Sequence, residues 1–222
     1  MIGLNAATGA QNWATNFGAQ WEKYLPPTVT DTSVFVNGGY YGGIYGYDRV
    51  TGTQMFFNSS LQQVDGWTPA VYNGKVYSFV SGAFRQHNLA TGAIEWTLNL
   101  PNMGDYTMGR TMAIASGAAF VVNYRSYTME LVCIDLAPPP LRWRVSNGFI
   151  GTPAVSGSSV YAFDSAGNVN AYDTTTGALQ RTYTTGIGST GLYQPIITND
   201  VLIASSSTST ARSAGPTRAT SS

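Results

Sequence analysis

A ten-residue phrase returns five times along the chain, as LNAATGAQNW, YDRVTGTQMF, HNLATGAIEW, IDLAPPPLRW and YDTTTGALQR. No other feature restricts the possible folds so strongly, because a fixed period means stacked copies of one supersecondary unit. The anchor column is Asn5, Asp48, Asn88, Asp135 and Asp173, at steps of 43, 40, 47 and 38 residues. Three residues on stand Thr8, Thr51, Thr91, Pro138 and Thr176, followed by Gly9, Gly52, Gly92, Pro139 and Gly177. Eight residues after the anchor stand Trp13, Phe56, Trp96, Trp143 and Arg181.

Each column has a physical reason. Asp or Asn folds its side chain onto backbone N–H groups ahead and fixes a turn. Glycine leaves that turn with a positive φ at no steric cost. The aromatic residue lands on the next strand and takes a large apolar surface into a packed seam. A second column group precedes each anchor: Pro27-Thr28-Val29, Pro69-Ala70-Val71, Met112-Ala113-Ile114, Pro153-Ala154-Val155 and Pro195-Ile196-Ile197. Turns such as Asn73-Gly74 and Ser156-Gly157-Ser158 follow, then β-branched and aromatic runs such as Val160-Tyr161-Ala162-Phe163. Such runs bounded by Gly, Asn and Pro read as strands. Four short strands in about 40 residues is the spacing of a propeller blade. No stretch sustains a helical period.

The units P-A-V-x-x-G-x-V-Y and A-x-D-x-x-T-G-x-x-x-W resemble the pyrroloquinoline-quinone-like (PQQ-like) repeat of the quinoprotein alcohol dehydrogenase-like superfamily. The resemblance covers residues 1 to about 204. It implies an all-β propeller of four-stranded antiparallel blades. That superfamily holds quinone-dependent dehydrogenases and non-enzymatic relatives, among them the lipoprotein of the outer-membrane β-barrel assembly machinery.

Four blades read as complete, at about 26–58, 68–99, 111–146 and 152–185. Outer strands alone precede them at 2–15, and inner strands alone follow near 194–204. The chain reads as a piece of a seven- or eight-bladed parent; the other arrangement pairs the two half blades into a fifth. Residues 1–204 form the propeller domain. Residues 205–222, written in Ser, Thr, Ala, Arg, Gly and Pro, read as a disordered low-complexity tail.

Composition narrows the function. Net charge is zero and no basic stripe is visible, so nucleic acid has no electrostatic footing. No apolar run is long enough to span a membrane. Cys133 is the only cysteine and His87 the only histidine, which leaves no internal disulfide and no Cys/His metal cage. Charged residues make up 10% of the chain, against about 25% in an average soluble domain. This polar, weakly charged surface suits an exported β protein. No signal peptide precedes the first repeat, so a periplasmic or secreted location is an expectation for the full-length parent.

Propeller ligands bind at one mouth of the central channel, on the loops that lead into the innermost strands. Here those loops hold Trp67-Thr68, Arg110-Thr111, Gly151-Thr152 and Tyr193-Gln194. Trp67, Arg110, Thr152 and Gln194 are the candidate ligand contacts. Arg110 is placed to meet an anion through its planar fork, or is a paired blade residue. Trp67 stacks on a planar ligand, or packs between blades. The glycine-rich run Gly38–Gly43 lacks the helix and Lys of a phosphate loop and reads as a long hairpin connection; the alternative is that its tyrosines are exposed and contact a sugar or a protein. Asp164–Asn168 has the look of a calcium loop, but a strand-to-strand turn belongs there. His87 replaces a repeat tyrosine, and Cys133 in Leu131-Val132-Cys133-Ile134 reads as a buried thiol.

The dehydrogenases that the chain resembles use a calcium-bound quinone, a catalytic Asp and usually adjacent cysteines in a disulfide. One cysteine excludes that disulfide, and no calcium site is legible by spacing. The reading is therefore a non-enzymatic scaffold or binding propeller with no catalytic residue, metal or cofactor, holding an unidentified protein or small ligand. The alternative is a fragment of a dehydrogenase that takes PQQ and calcium.

Overall fold

The computed structural model describes residues 1–19, 26–64, 66–101, 111–125, 127–137, 140–188, 194–198 and 201–206, and the backbone of 210–214. The chain divides into two compact units, Met1–Thr111 and Met112–Ser222.

The first unit opens with β1 (Ile2–Leu4) and β2 (Gln11–Ala14), a two-stranded antiparallel sheet. Next come β3 (Thr28–Val29), β4 (Ser33–Asn37), β5 (Ile44–Asp48) and β6 (Gln54–Asn58) as one four-stranded sheet. A second is built from β7 (Ala70–Tyr72), β8 (Lys75–Val80), β9 (Ala83–Asn88) and β10 (Ile94–Asn99). In the second unit, β11 (Ala113–Ala115), β12 (Ala118–Arg125), β13 (Thr128–Asp135) and β14 (Leu141–Ser146) form a third. The fourth contains β15 (Phe149–Ser156), β16 (Ser159–Asp164), β17 (Val169–Asp173) and β18 (Leu179–Tyr183). Then β19 (Ile196–Thr198), β20 (Val201–Ser205) and β21 (Thr210–Ala214) form a three-stranded sheet. Each complete sheet is an antiparallel meander in sequence order, the strand order of a propeller blade, and the described residues contain no helix.

The middle strands carry the core. Residues Ala118–Val122 and Leu131–Ile134 are buried without a break. Continuous burial means that both faces are covered, which is why these strands read as apolar runs rather than alternating ones. In the second unit one cluster joins Phe120, Val122, Leu131 and Cys133 to Phe149, Val160 and Tyr172 of the neighbouring sheet. In the first, Phe35, Ile44 and Phe56 pack with Val76 and Val80.

The repeat columns close as one device. Asp48 Oδ1 accepts from the N–H groups of Val50 and Thr51 at 2.9 and 2.7 Å, and Asp173 Oδ1 from Thr175 and Thr176 at 3.0 and 2.8 Å. The Thr51 and Thr176 N–H groups, helped by the hydroxyls of the same residues, hold both carboxyls below the ordinary range. Asn5 and Asn88 make the same pair of backbone bonds. Asp135 spans its variant turn through its own N–H to the Pro140 carbonyl at 2.6 Å, and it pairs with Arg142.

The aromatic column clasps the following turn. Trp13 donates its indole N–H to the Arg49 carbonyl at 2.9 Å, and Trp143 donates to that of Thr174 at 3.1 Å. A Cβ on Gly52 would lie 2.5 Å from the Trp13 ring, and one on Gly177 would lie 2.8 Å from the ring of Trp143. Phe56 lies over Gly92 in the same way. Glycine is thus required twice, by a φ near +71° and by the ring above it.

Two expectations are corrected. The inner strand of the fourth sheet starts at Phe149, so Gly151 and Thr152 lie inside β15, at a register irregularity, rather than in a loop. In the tail, Thr210–Ala214 forms a strand, with Thr210 opposite Ser205 and Ala214 opposite Val201. The backbone edge of β20 offers N–H and C=O groups that a Ser/Thr/Ala segment pairs with as well as any other. Residues 215–222 lie outside the described residues.

Candidate binding surface

In each complete sheet the hairpin between the second and third strands lies at the end from which the chain leaves for the next sheet. In the first unit this end presents Gly38–Gly43. The hairpin is pinned from three sides. Gly39 N–H donates to the Gly18 carbonyl at 2.7 Å, and Gly38 N–H to that of Gly43 at 3.2 Å. A Cβ on Gly42 would lie 2.5 Å from the Gln62 backbone, and one on Gly43 would lie 2.5 Å from the Phe57 ring. Below the hairpin Tyr45 stacks on Phe57 with centroids 4.2 Å apart and meets Phe17 edge-on at 5.8 Å. On this base the hairpin displays Tyr40 and Tyr41, the latter 81% exposed.

The sequence-predicted mouth residues are placed as follows. Trp67 is buried with Phe35, Phe56, Leu61 and Val64 in the core of the first unit. Its neighbour Thr68 donates to the Pro26 carbonyl at 3.4 Å, and Thr28 donates to that of Pro69. Gln194 repeats this stitch in the second unit, donating to the Pro153 carbonyl at 3.1 Å, one residue from half-buried Thr152. Arg110 lies outside the described residues.

His87 is fully buried. Its Nδ1 lies 3.1 Å from the Gly92 carbonyl, which only accepts, so Nδ1 carries the proton and Nε2 accepts from the Ser78 hydroxyl at 2.9 Å. Burial holds its pKa below the ordinary value. Burial likewise pushes the Cys133 thiol up to about 12, leaving it protonated and unreactive. Asp164 anchors a turn: Oδ1 accepts from the N–H groups of Ala166 and Asn168, and Oδ2 from the side-chain amides of Asn168 and Asn170. Four donors converge on this carboxylate, the opposite of the converging oxygens that calcium needs, so the loop does not fit that ion.

One group was not legible beforehand. On the third sheet Glu130 is buried, with Arg125 and Arg144 beside it and Tyr127 at the hairpin tip. The available signal was a lone acid in an apolar strand flanked by cations, Arg125-x-x-x-x-Glu130.

A sequence profile of the family described as outer membrane protein assembly factor BamB matches residues 1–124 and 81–211. No curated protein sequence matches. Among solved structures the chain is similar to BamB from Moraxella catarrhalis, at 17% identity and TM-score 0.69, over 95% of this chain and 77% of that one. It is similar to the computationally designed Ika8 protein, at 13% identity and TM-score 0.66, over 85% and 57%. It is also similar to a europium-containing methanol dehydrogenase, at 12% identity and TM-score 0.63, over 80% and 46%. At these identities the three structures establish the fold. Among the described residues no helix is long and apolar enough to cross a membrane.

Proposed function

The chain belongs to the family of the outer membrane protein assembly factor BamB, a PQQ-like propeller family of the quinoprotein superfamily, and we propose that it is a non-enzymatic, extracytoplasmic scaffold that holds a protein partner during outer-membrane protein assembly. The observation that carries this reading is the pinned hairpin Gly38–Gly43 with its outward Tyr40 and Tyr41. Tyrosine is enriched at the centre of protein interfaces, where it gives a large contact area for few frozen torsions. A loop already held by its neighbours pays little ordering entropy on binding. No charged side chain stands in the run, so its contacts are apolar and hydrogen-bonded.

The test is a photoreactive residue at Tyr41, irradiated in cells that make the protein. The expected product is an adduct, in the envelope fraction, with a protein of the outer-membrane assembly machinery. The reading fails if no protein adduct forms while PQQ with calcium raises the melting temperature, because a ligand that binds only the folded state stabilises it by mass action.

A further inference from the structure

We propose that the third sheet carries a second contact point, in which Arg125, Arg144 and Tyr127 receive a carboxylate of an acidic, apolar-flanked polypeptide segment; this rests on the reading that the chain holds a protein partner. The pivot is Glu130, 1% exposed on β13. Its cross-strand partner Asn123 donates Nδ2–H to Oε1 at 2.9 Å. The other oxygen, Oε2, is faced by a guanidinium nitrogen of Arg125 at 3.9 Å and by one of Arg144 at 4.0 Å. A forked Arg–carboxylate pair closes to about 2.7–2.9 Å. Here two cations share one acid at a longer range than a forked pair.

The charge count favours a monoanion. One buried carboxylate opposes two guanidinium groups, leaving a local charge of plus one on a chain whose net charge is zero. The other described carboxylates of this unit are engaged elsewhere: Asp135 by Arg142, and Asp164 and Asp173 in their turns. The arginine side chains are 41% and 37% exposed, and each turns one guanidinium nitrogen toward Glu130. Tyr127 adds the apolar half. It is 83% exposed and held at φ 63°, a backbone region that a bulky side chain rarely adopts. Arginine and tyrosine are both residue types enriched at binding hot spots. A phosphate dianion would be only half neutralised here and would meet the Glu130 charge, whereas a side-chain carboxylate with an aliphatic neighbour matches both halves.

The experiment is fluorescence anisotropy of the full chain with a labelled decapeptide of alternating glutamate and leucine, with glutamine in place of glutamate as the control. The glutamate peptide should bind on the order of tenfold more tightly than the control, and the difference should shrink as salt rises. Arg125→Gln and Arg144→Gln should each weaken it several-fold while the variants keep the circular dichroism of the folded chain, and Tyr127→Ala should weaken both peptides. Equal binding of the two peptides, or affinity unchanged in both arginine variants, overturns the site. So does arginine-dependent binding to phosphatidylglycerol vesicles without peptide binding. Crosslinking through Tyr41 in the Arg144→Gln variant separates the two readings: adducts kept while peptide binding fails reject only the acidic site. Adducts lost while arginine-dependent peptide binding persists reject the wider reading alone.

Discussion

At the scale of single residues, the position before each anchor shows how one column tolerates different chemistry. His87 and Tyr47 both lie there, both fully buried. The His87 pKa is below its ordinary value of about 6.5 because burial penalises the cation. The unfolded chain therefore takes up this proton at higher pH than the folded one. Stability should be complete above about pH 6.5 and should decline as pH falls, by at most about 1.4 kcal/mol per pH unit from this residue. Urea titrations at neutral and mildly acid pH should show a smaller acid loss in His87→Phe than in the parent. Tyr47 differs: its hydroxyl is buried without a hydrogen-bond partner among the described residues, and burial, then Tyr45, pushes its pKa up to about 12. Tyr47→Phe should leave stability unchanged or raise it by up to about 1 kcal/mol. A clear loss in the same titration would mean that the hydroxyl has a partner.

At the scale of elements, the seam between the third and fourth strands holds what the sequence pattern concealed. In every sheet that has both strands the register skips one residue just before the anchor, leaving Asn12, Met55, Glu95, Arg142 and Gln180 unpaired. This bulge turns three of those side chains back: Glu95 to Asn88, Arg142 to Asp135 and Gln180 to Asp173. It also turns the ring one place further on toward the next turn. The D-x-x-T-G turn was legible because each of its bonds is local to five residues. The bulge was not, because one extra residue leaves composition and strand length unchanged. Trp67 was misleading for a related reason: a tryptophan in a connection is drawn inward by Leu61 and Val64 from the same connection, which no local period reports. Glu130 was hidden because its burial depends on Asn123 across the strand. The clasp itself can be weighed. Gly74 and Gly177 share a φ of +71°, but a Cβ on Gly74 meets open space. Gly74→Ala should cost about 1 kcal/mol for the backbone alone, and Gly177→Ala should cost distinctly more. Comparing Gly177→Ala with the double variant carrying Trp143→Ala should show that the excess disappears with the ring.

At the scale of the whole molecule, the repeat and its four-stranded blades were readable from the sequence, apart from the strand Thr210–Ala214 in the tail, and the family followed from the same columns. Function was much less legible, since every blade carries the motif whatever the protein binds. This chain's own departures from the repeat are the glycine run at 38–43, the arginines around Glu130, and the three prolines Pro138–Pro140 after Asp135. The cofactor reading belongs to this scale. Saturating PQQ and calcium should leave the melting temperature where it is, because the one loop that resembles a calcium site already has its carboxylate filled by N–H donors.

The clasp also has a direction. Trp13 closes on a turn that is made later, at Gly52, as Phe56 does at Gly92 and Trp143 at Gly177. On a ribosome the blades of Trp13, Phe56 and Trp143 therefore leave the exit tunnel with the ring still uncovered and are secured only when the following turn emerges. For these blades consolidation should trail synthesis by one repeat, and a chain stalled before the clasping turn should be frayed in its last blade.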